Sequence, residues 1–307
     1  MMRGTHGEKI VSAIGNDHMP ETDKERLMEA LDKYDKWIKE LNTCDSETLD
    51  SFIEKMVGLL NEYKFYIDVD LIFDSPNDFL YRQKGQLKLD NTVIEEFLPV
   101  FVRRCIEKQY GPRDITISSQ TPTFSSVYFA SSLSSPEIGG GINIKTKDQD
   151  FSMSRTIYIK SSYSPDFCEG ETIQLTTHLG YVLAELKTNL DKTMFQEASA
   201  TAHDIKQAVT GAKYYLLCDW LDMTPISTAT TDIDEILLVR KAKRINSNVR
   251  QAYSNYEGRQ KNREAYVSYL KDNPYAPDVF KRFIEHIFSQ MQNEELVEQS
   301  VLDIGYF

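Results

Sequence analysis

The segment Tyr181-Val182-Leu183-Ala184-Glu185-Leu186-Lys187 places the tightest limit on how this chain can fold. Its alternation predicts a strand with Tyr181, Leu183, Glu185 and Lys187 on one face and Val182, Ala184 and Leu186 on the other. So apolar a strand belongs inside a sheet, yet one face carries a carboxylate and an ammonium group. Burying both without partners or a metal is costly. A site that breaks the local rule in this way is where function is expected. Upstream, Ser164-Pro165-Asp166 supplies a second carboxylate. The gap lets the chain return with Asp166 on a neighbouring strand, about 4.8 Å away.

Two carboxylates converging on one point make an oxygen-rich site suited to Mg2+, which shares hard oxygen ligands with substrate phosphate. A lysine beside them orients or helps deprotonate a water, or offsets charge on a scissile phosphate. Together they point to metal-assisted phosphodiester hydrolysis. The spacing matters, because single pieces recur in the chain. Glu62-Tyr63-Lys64 has no Pro-Asp ahead of it, Asp204-Ile205-Lys206 reads as helix, and nothing suitable follows Pro277-Asp278. Only Asp166 with Glu185 and Lys187 combines order, gap and a strand setting.

This arrangement resembles the PD-(D/E)xK nuclease superfamily. The resemblance implies that Asp166 is the metal-binding aspartate, Glu185 the second carboxylate, Lys187 the lysine and Mg2+ the cofactor. It also implies an α/β fold with a restriction-endonuclease-like core, a central mixed sheet flanked by helices. Glu95 or Glu96, on the helix ahead of the core, becomes a further metal ligand, and Gln196 or Glu197 a polar neighbour of the site. Beyond the core, Gly85 to Pro99 and Glu185 to Val209 are similar to the family of restriction enzymes that includes BbvCI. That likeness implies a type II restriction endonuclease cutting double-stranded DNA at short CCTNAGC-type sites. It further implies a dimer with an identical or homologous subunit, and a cognate methyltransferase in the same system. The alternatives are a repair or recombination nuclease of the same superfamily and a non-enzymatic DNA-binding subunit.

The composition fits an ordinary globular chain of 307 residues, 41% apolar and 27% charged. No apolar run approaches a membrane span, and Met1 to Ile14 lacks a signal-peptide core. Cys44, Cys105, Cys168 and Cys218 show no zinc spacing, which points to a reducing, cytoplasmic setting. The net charge of −12 counts against nucleic-acid binding by bulk electrostatics. It leaves discrimination to a few close contacts. The most basic tract, Arg240, Lys241, Lys243, Arg244 and Arg250, is the candidate for DNA contact.

The predicted organisation is an N-terminal helical hairpin region over 1–75 and a nuclease domain over 76–307. Its catalytic core spans about 92–222, and a basic, helical region follows. Residues 1–19 read as a mobile end. Ser46 is the expected cap of the second helix and Asn91 of a helix over 92–109. Strands are expected at Thr156 to Lys160, Ile173 to Leu175, Tyr181 to Lys187 and Tyr214 to Cys218. An alanine-rich helix over 193–209 precedes the last of these. An amphipathic helix closes the chain, with Val279, Phe280, Phe283, Ile284 and Ile287 on one face.

Overall fold

In the computed structural model, residues 3–292 together with 302, 303 and 305 are described. Helices come first: α1 (Thr5–Ile14), α2 (Glu21–Thr43), α3 (Leu49–Phe65), α4 (Asp78–Leu87) and α5 (Thr92–Tyr110), with a π-helical stretch, Tyr66–Phe73, between α3 and α4. The sheet is built from β1 (Thr116–Ser118), β2 (Thr121–Phe129), β3 (Ile142–Gln149), β4 (Phe151–Ser162), β5 (Thr172–Leu190), β6 (Lys213–Leu221) and β7 (Glu235–Lys243). Helix α6 (Lys192–Ala208) links β5 to β6. Helices α7 (Ser247–Gln251), α8 (Tyr256–Lys261), α9 (Arg263–Asp272) and α10 (Pro277–Met291) follow.

The N-terminal segment is ordered rather than mobile: α1 buries His6, Ile10 and Ala13. On α2, Leu27, Ala30, Tyr34, Trp37 and Leu41 are buried at helical spacing, with Leu31 and Ile38 half-buried beside them. The cap of α3 is Thr48, not Ser46. The Thr48 hydroxyl accepts from the Ser51 amide at 3.2 Å, and the Ser51 hydroxyl accepts from the Thr48 amide at 3.3 Å. Asn91 precedes α5 without a side-chain cap bond, and α5 continues through Pro99 to Tyr110. Asp191 does cap α6, accepting from the Met194 amide at 2.9 Å.

Strand β5 is the spine. It pairs antiparallel with β4 over most of its length, parallel with β2 at His178, and parallel with β6, which carries β7. Ile173 to Leu175 and Tyr181 to Lys187 are therefore one strand, not two. Val182, Ala184, Leu186, Tyr215 and Leu237 share a core with α2, α3, α5 and α10. The helices of 1–75 thus pack into the same core as the sheet. Leu183, Tyr214, Leu216 and Cys218 pack instead against Phe195, Ala198, Ala202 and Ile205 of α6. Each fully buried leucine there, such as Leu216, contributes about 1.5–3 kcal/mol relative to exposure. Small alanines on α6 let the helix lie close to the strands. This sandwiching holds the Glu185 segment of β5 between two packed layers.

Candidate active site

β4 and β5 form a long hairpin, and its register decides which carboxylates meet. Phe151 lies opposite Ala184 and Ser162 opposite Thr172. Asp166 sits in the turn beyond that last pair, exposed, where the Phe167 amide bonds the Ser164 carbonyl. The 12-residue strand between rises on the order of 35 Å along its path. Asp166 is therefore at the far end of the hairpin from Glu185, and the structure does not bring the two together. One step beyond the Phe151–Ala184 pair, the same register puts Asp150 opposite Glu185. Asp150 Oδ2 accepts a hydrogen bond from the Leu186 amide at 2.8 Å.

Around Asp150 lies a small set of ionic groups. Lys187 Nζ meets Glu185 Oε1 at 2.6 Å, and the Tyr214 hydroxyl donates to Glu185 Oε2 at 2.8 Å. Burial, and then the charge of Glu185, push the Asp150 carboxyl above the usual range; the Leu186 bond and the charges of Lys187 and Lys88 oppose this. Glu95 is also raised, by burial and by the charge of Asp150, and it accepts from Gln120 Nε2 at 3.4 Å. Burial works against the charge on Lys187. The bond to Glu185 and the charges of Glu185, Asp150 and Glu197 outweigh it and hold Lys187 above the ordinary lysine range. Lysine at this site is thus a protonated, charge-bearing group.

Of the other sequence candidates, Glu95 is brought to the site and Glu96 is not. Glu96 accepts from the His6 amide at 2.8 Å and the Tyr34 hydroxyl at 3.1 Å, so it ties α1 and α2 to α5. Gln196 and Glu197 are both exposed on α6, and Glu197 alone is felt by Lys187. The basic tract is largely committed within the fold. Arg240 is 6% exposed, donates to the Asn273 carbonyl at 2.8 Å, and stacks between Trp220 and Tyr275. It is no phosphate contact. Lys241 pairs with Asp278, Arg244 with Asp222, and Arg250 donates to the Ile245 carbonyl. Lys243 is exposed.

Asp150 carries no Pro-Asp signature, since Gln149 stands before it. Tyr214 has no local signature either, because its hydroxyl reaches Glu185 from the adjacent strand β6. The signal that was present is turn chemistry: Ser164, Pro165, Asp166 and Gly170 are turn residues, which place Asp166 at a hairpin tip.

The Bpu10I restriction endonuclease family matches residues 86–307. The chain belongs to that family. Its match covers α5, the whole sheet and the C-terminal helices, so the paired Asp150 and Glu185 lie inside it and the first three helices outside. Family membership makes the chain a nuclease acting on DNA. Among solved structures, a chain of the native BbvCI A2B2 tetramer is similar at 18% identity, with 81% of this chain and 96% of that chain covered and a TM-score of 0.35. No curated protein matches.

Two expectations arise from this geometry. Tyr214→Phe frees Glu185 Oε2 from its buried donor. Losing an outer partner of this kind costs about 10–100-fold in metal affinity or activity. A cleavage-rate titration against metal concentration reads it, and an unchanged rate at every concentration would remove Tyr214 from the site. The second expectation concerns pH. Asp150 and Glu95 have folded-state pKa values above their unfolded ones. Their contribution to stability is complete below the unfolded carboxylate value, about pH 4, and is lost as pH rises through the folded values. Without divalent cation, Asp150→Asn is therefore more stable than the unaltered protein at neutral pH, by ~2–4 °C in Tm for each kcal/mol relieved, and the difference closes in acid. Thermal melts across that range check it. A gap that widens in acid would contradict it.

Proposed function

We propose that this protein is a type II restriction endonuclease that hydrolyses DNA phosphodiester bonds at a short specific sequence with Mg2+. The observation that carries the reading is the Asp150 carboxylate, held against the Leu186 amide at 2.8 Å beside the Glu185–Lys187 pair, in a chain of a restriction endonuclease family. Asp150 takes the place first expected of Asp166. The residues fit the metal by their chemistry. Asp150 and Glu95 carry pKa values raised first by burial and then by neighbouring negative charge, a repulsion that a divalent cation offsets, and their donors are hard oxygens. Among the described residues, no three His, Cys, Asp or Glu side chains already form a metal cage. Asp150 and Glu185 would hold Mg2+, with Glu95 adjoining. When bound, Mg2+ supplies charge to the scissile phosphate and lowers the pKa of attacking water.

The protein groups do the rest. The Leu186 amide orients Asp150. Tyr214 fixes one oxygen of Glu185 and leaves the other to Lys187. Lys187, protonated, is placed to offset the charge that grows on the phosphoryl oxygens and to orient the water. One such set per chain cuts one strand. The reading therefore includes a second, identical or homologous subunit for the other strand, a cognate methyltransferase protecting the host site, and a cytoplasmic setting.

Plasmid DNA incubated with the purified protein and Mg2+ tests this. Discrete fragments that vanish with EDTA are the expected result. Random nicking would indicate a repair or recombination nuclease, and no cleavage a DNA-binding subunit.

A further inference from the structure

Arg240 is buried and Lys241, Arg244 and Arg250 are bonded to neighbours, which leaves Lys243 as the open cation of the basic tract and calls for a further contact surface for DNA. We propose that the outer half of the β4–β5 ribbon is the sequence-reading element and enters the major groove of duplex DNA. This rests on the nuclease reading above.

The ribbon stays in the core from Asp150 and Glu185 as far as Ser154 and Val182 and leaves it beyond them. Beyond the irregularity at Met153 and Ser154, the register pairs Thr156 with His178, Tyr158 with Thr176, and Lys160 with Gln174. Alternation puts these six side chains on one face. All but the half-buried His178 are exposed, Tyr158 at 70%. Thr156 and His178 Nδ1 share a bond at 3.2 Å. The side chains of Tyr158, Lys160, Gln174 and Thr176 make no hydrogen bond or ion pair among the described residues, so their donors and acceptors are open to a ligand.

The charge pattern names the partner. The chain carries −12, yet β4 has no carboxylate at all and β5 none except Glu185. Acidic residues return only in the tip, at Asp166, Glu169 and Glu171. A strand face of hydroxyls, an amide, an imidazole and a lysine, cleared of negative charge, suits a polyanion with readable edges.

The dimensions agree. The major groove admits a two-stranded β-ribbon, and each base pair there shows a distinct pattern of donors and acceptors. Lys160 lies nine residues beyond Phe151, a rise of roughly 30 Å, close to one helical turn of about 34 Å. The ribbon can therefore follow several base pairs from the phosphate that Asp150 and Glu185 address. Gln174 is of the type that pairs two-fold with adenine, Thr176 contacts a thymine methyl, and Lys160 meets the phosphate backbone.

The test uses the full-length protein with Ca2+ in place of Mg2+, on duplexes carrying the site found by mapping wild-type cleavage and on unrelated duplexes. Gln174→Ala is expected to lower the preference for the cleaved duplex about tenfold or more, with circular dichroism unchanged. Lys160→Ala is expected to weaken binding to every duplex and to reduce the slope of log K against log salt by about 0.9. Thr176→Val, which keeps the shape, gives a smaller loss of preference. Unchanged selectivity and salt slope in all three variants would overturn the proposal. So would variants that alter only the oligomeric state on size exclusion, since the face would then belong to a partner chain. A wild-type protein that cuts no DNA would instead overturn the nuclease reading and this inference with it. Cleavage by the wild type with indifferent ribbon variants sinks the ribbon alone.

Discussion

Asp150→Ala is expected to lower the rate of DNA cleavage by about 10³-fold or more, while Asp166→Ala cuts at the rate of the unaltered protein. The first figure corresponds to about 4 kcal/mol of transition-state stabilisation, the scale expected when a metal-holding carboxylate is removed. The second follows from the register. Asp166 is exposed in the turn past Ser162 and Thr172, whereas Asp150 adjoins Glu185 and is bonded to the Leu186 amide. Single-turnover cleavage of a plasmid substrate measures both. Glu185→Ala and Lys187→Ala are the companion controls. Losing Glu185 removes a carboxylate and leaves the Tyr214 hydroxyl without its acceptor. Losing Lys187 removes the protonated group beside it, so cleavage falls while DNA is still bound. Full loss in Asp166→Ala with normal activity in Asp150→Ala would reverse the assignment.

Arg259→Ala is expected to destabilise the fold by about 3–5 kcal/mol, the cost of breaking a buried, fully bonded charge network. Arg259 is 0% exposed. Its Nε donates to the Phe73 carbonyl at 2.9 Å, and its Nη2 to the carbonyls of Ser75 and Asn77 at 2.9 and 3.0 Å. Nη1 reaches Asp78 at 3.1 Å and the Tyr253 carbonyl at 3.2 Å. One guanidinium thus closes the turn between the π-helical stretch and α4, and fastens α8 to it. Removal strands several carbonyls and leaves the Asp78 carboxylate with only its partly exposed pairing to Arg82 at 3.5 Å. Arg259→Lys keeps the charge but not the planar fork, and recovers only part of the loss. Urea denaturation measures both, and a change below about 1 kcal/mol would mean the network is no stronger than a surface pair.

Much of the architecture was legible because the signals are local. The period of Leu27 to Leu41 predicts α2, and the alternation of Tyr181 to Lys187 predicts the centre of β5. Asp191 with the alanines behind it predicts α6, and Val279 to Ile287 predict α10. Each depends on a few adjacent residues meeting a helical or pleated repeat. The pairing of Glu185 with Lys187 is equally local, since two residues of one strand that differ by two must share a face. So the sequence by itself determined an α/β chain and the Glu185–Lys187 pair on one strand face.

Which carboxylate stands opposite Glu185 was decided by tertiary structure. The aspartate that faces Glu185 follows from where the β4–β5 hairpin turns and how its two strands slide against each other. Register is a non-local quantity: a shift of pairing replaces every cross-strand neighbour without altering either strand's own pattern. Asp166 has the better local motif and Asp150 the better position. The fate of the basic tract has the same origin. Nothing near Arg240 in sequence announces Asp68, Tyr275 or Asn273, yet a buried charge persists only where such partners converge. The Glu-x-Lys strand with which the sequence argument began stands as read. The carboxylate we propose for its partner lies one residue ahead of the strand it pairs with, and only the pairing could show that placement.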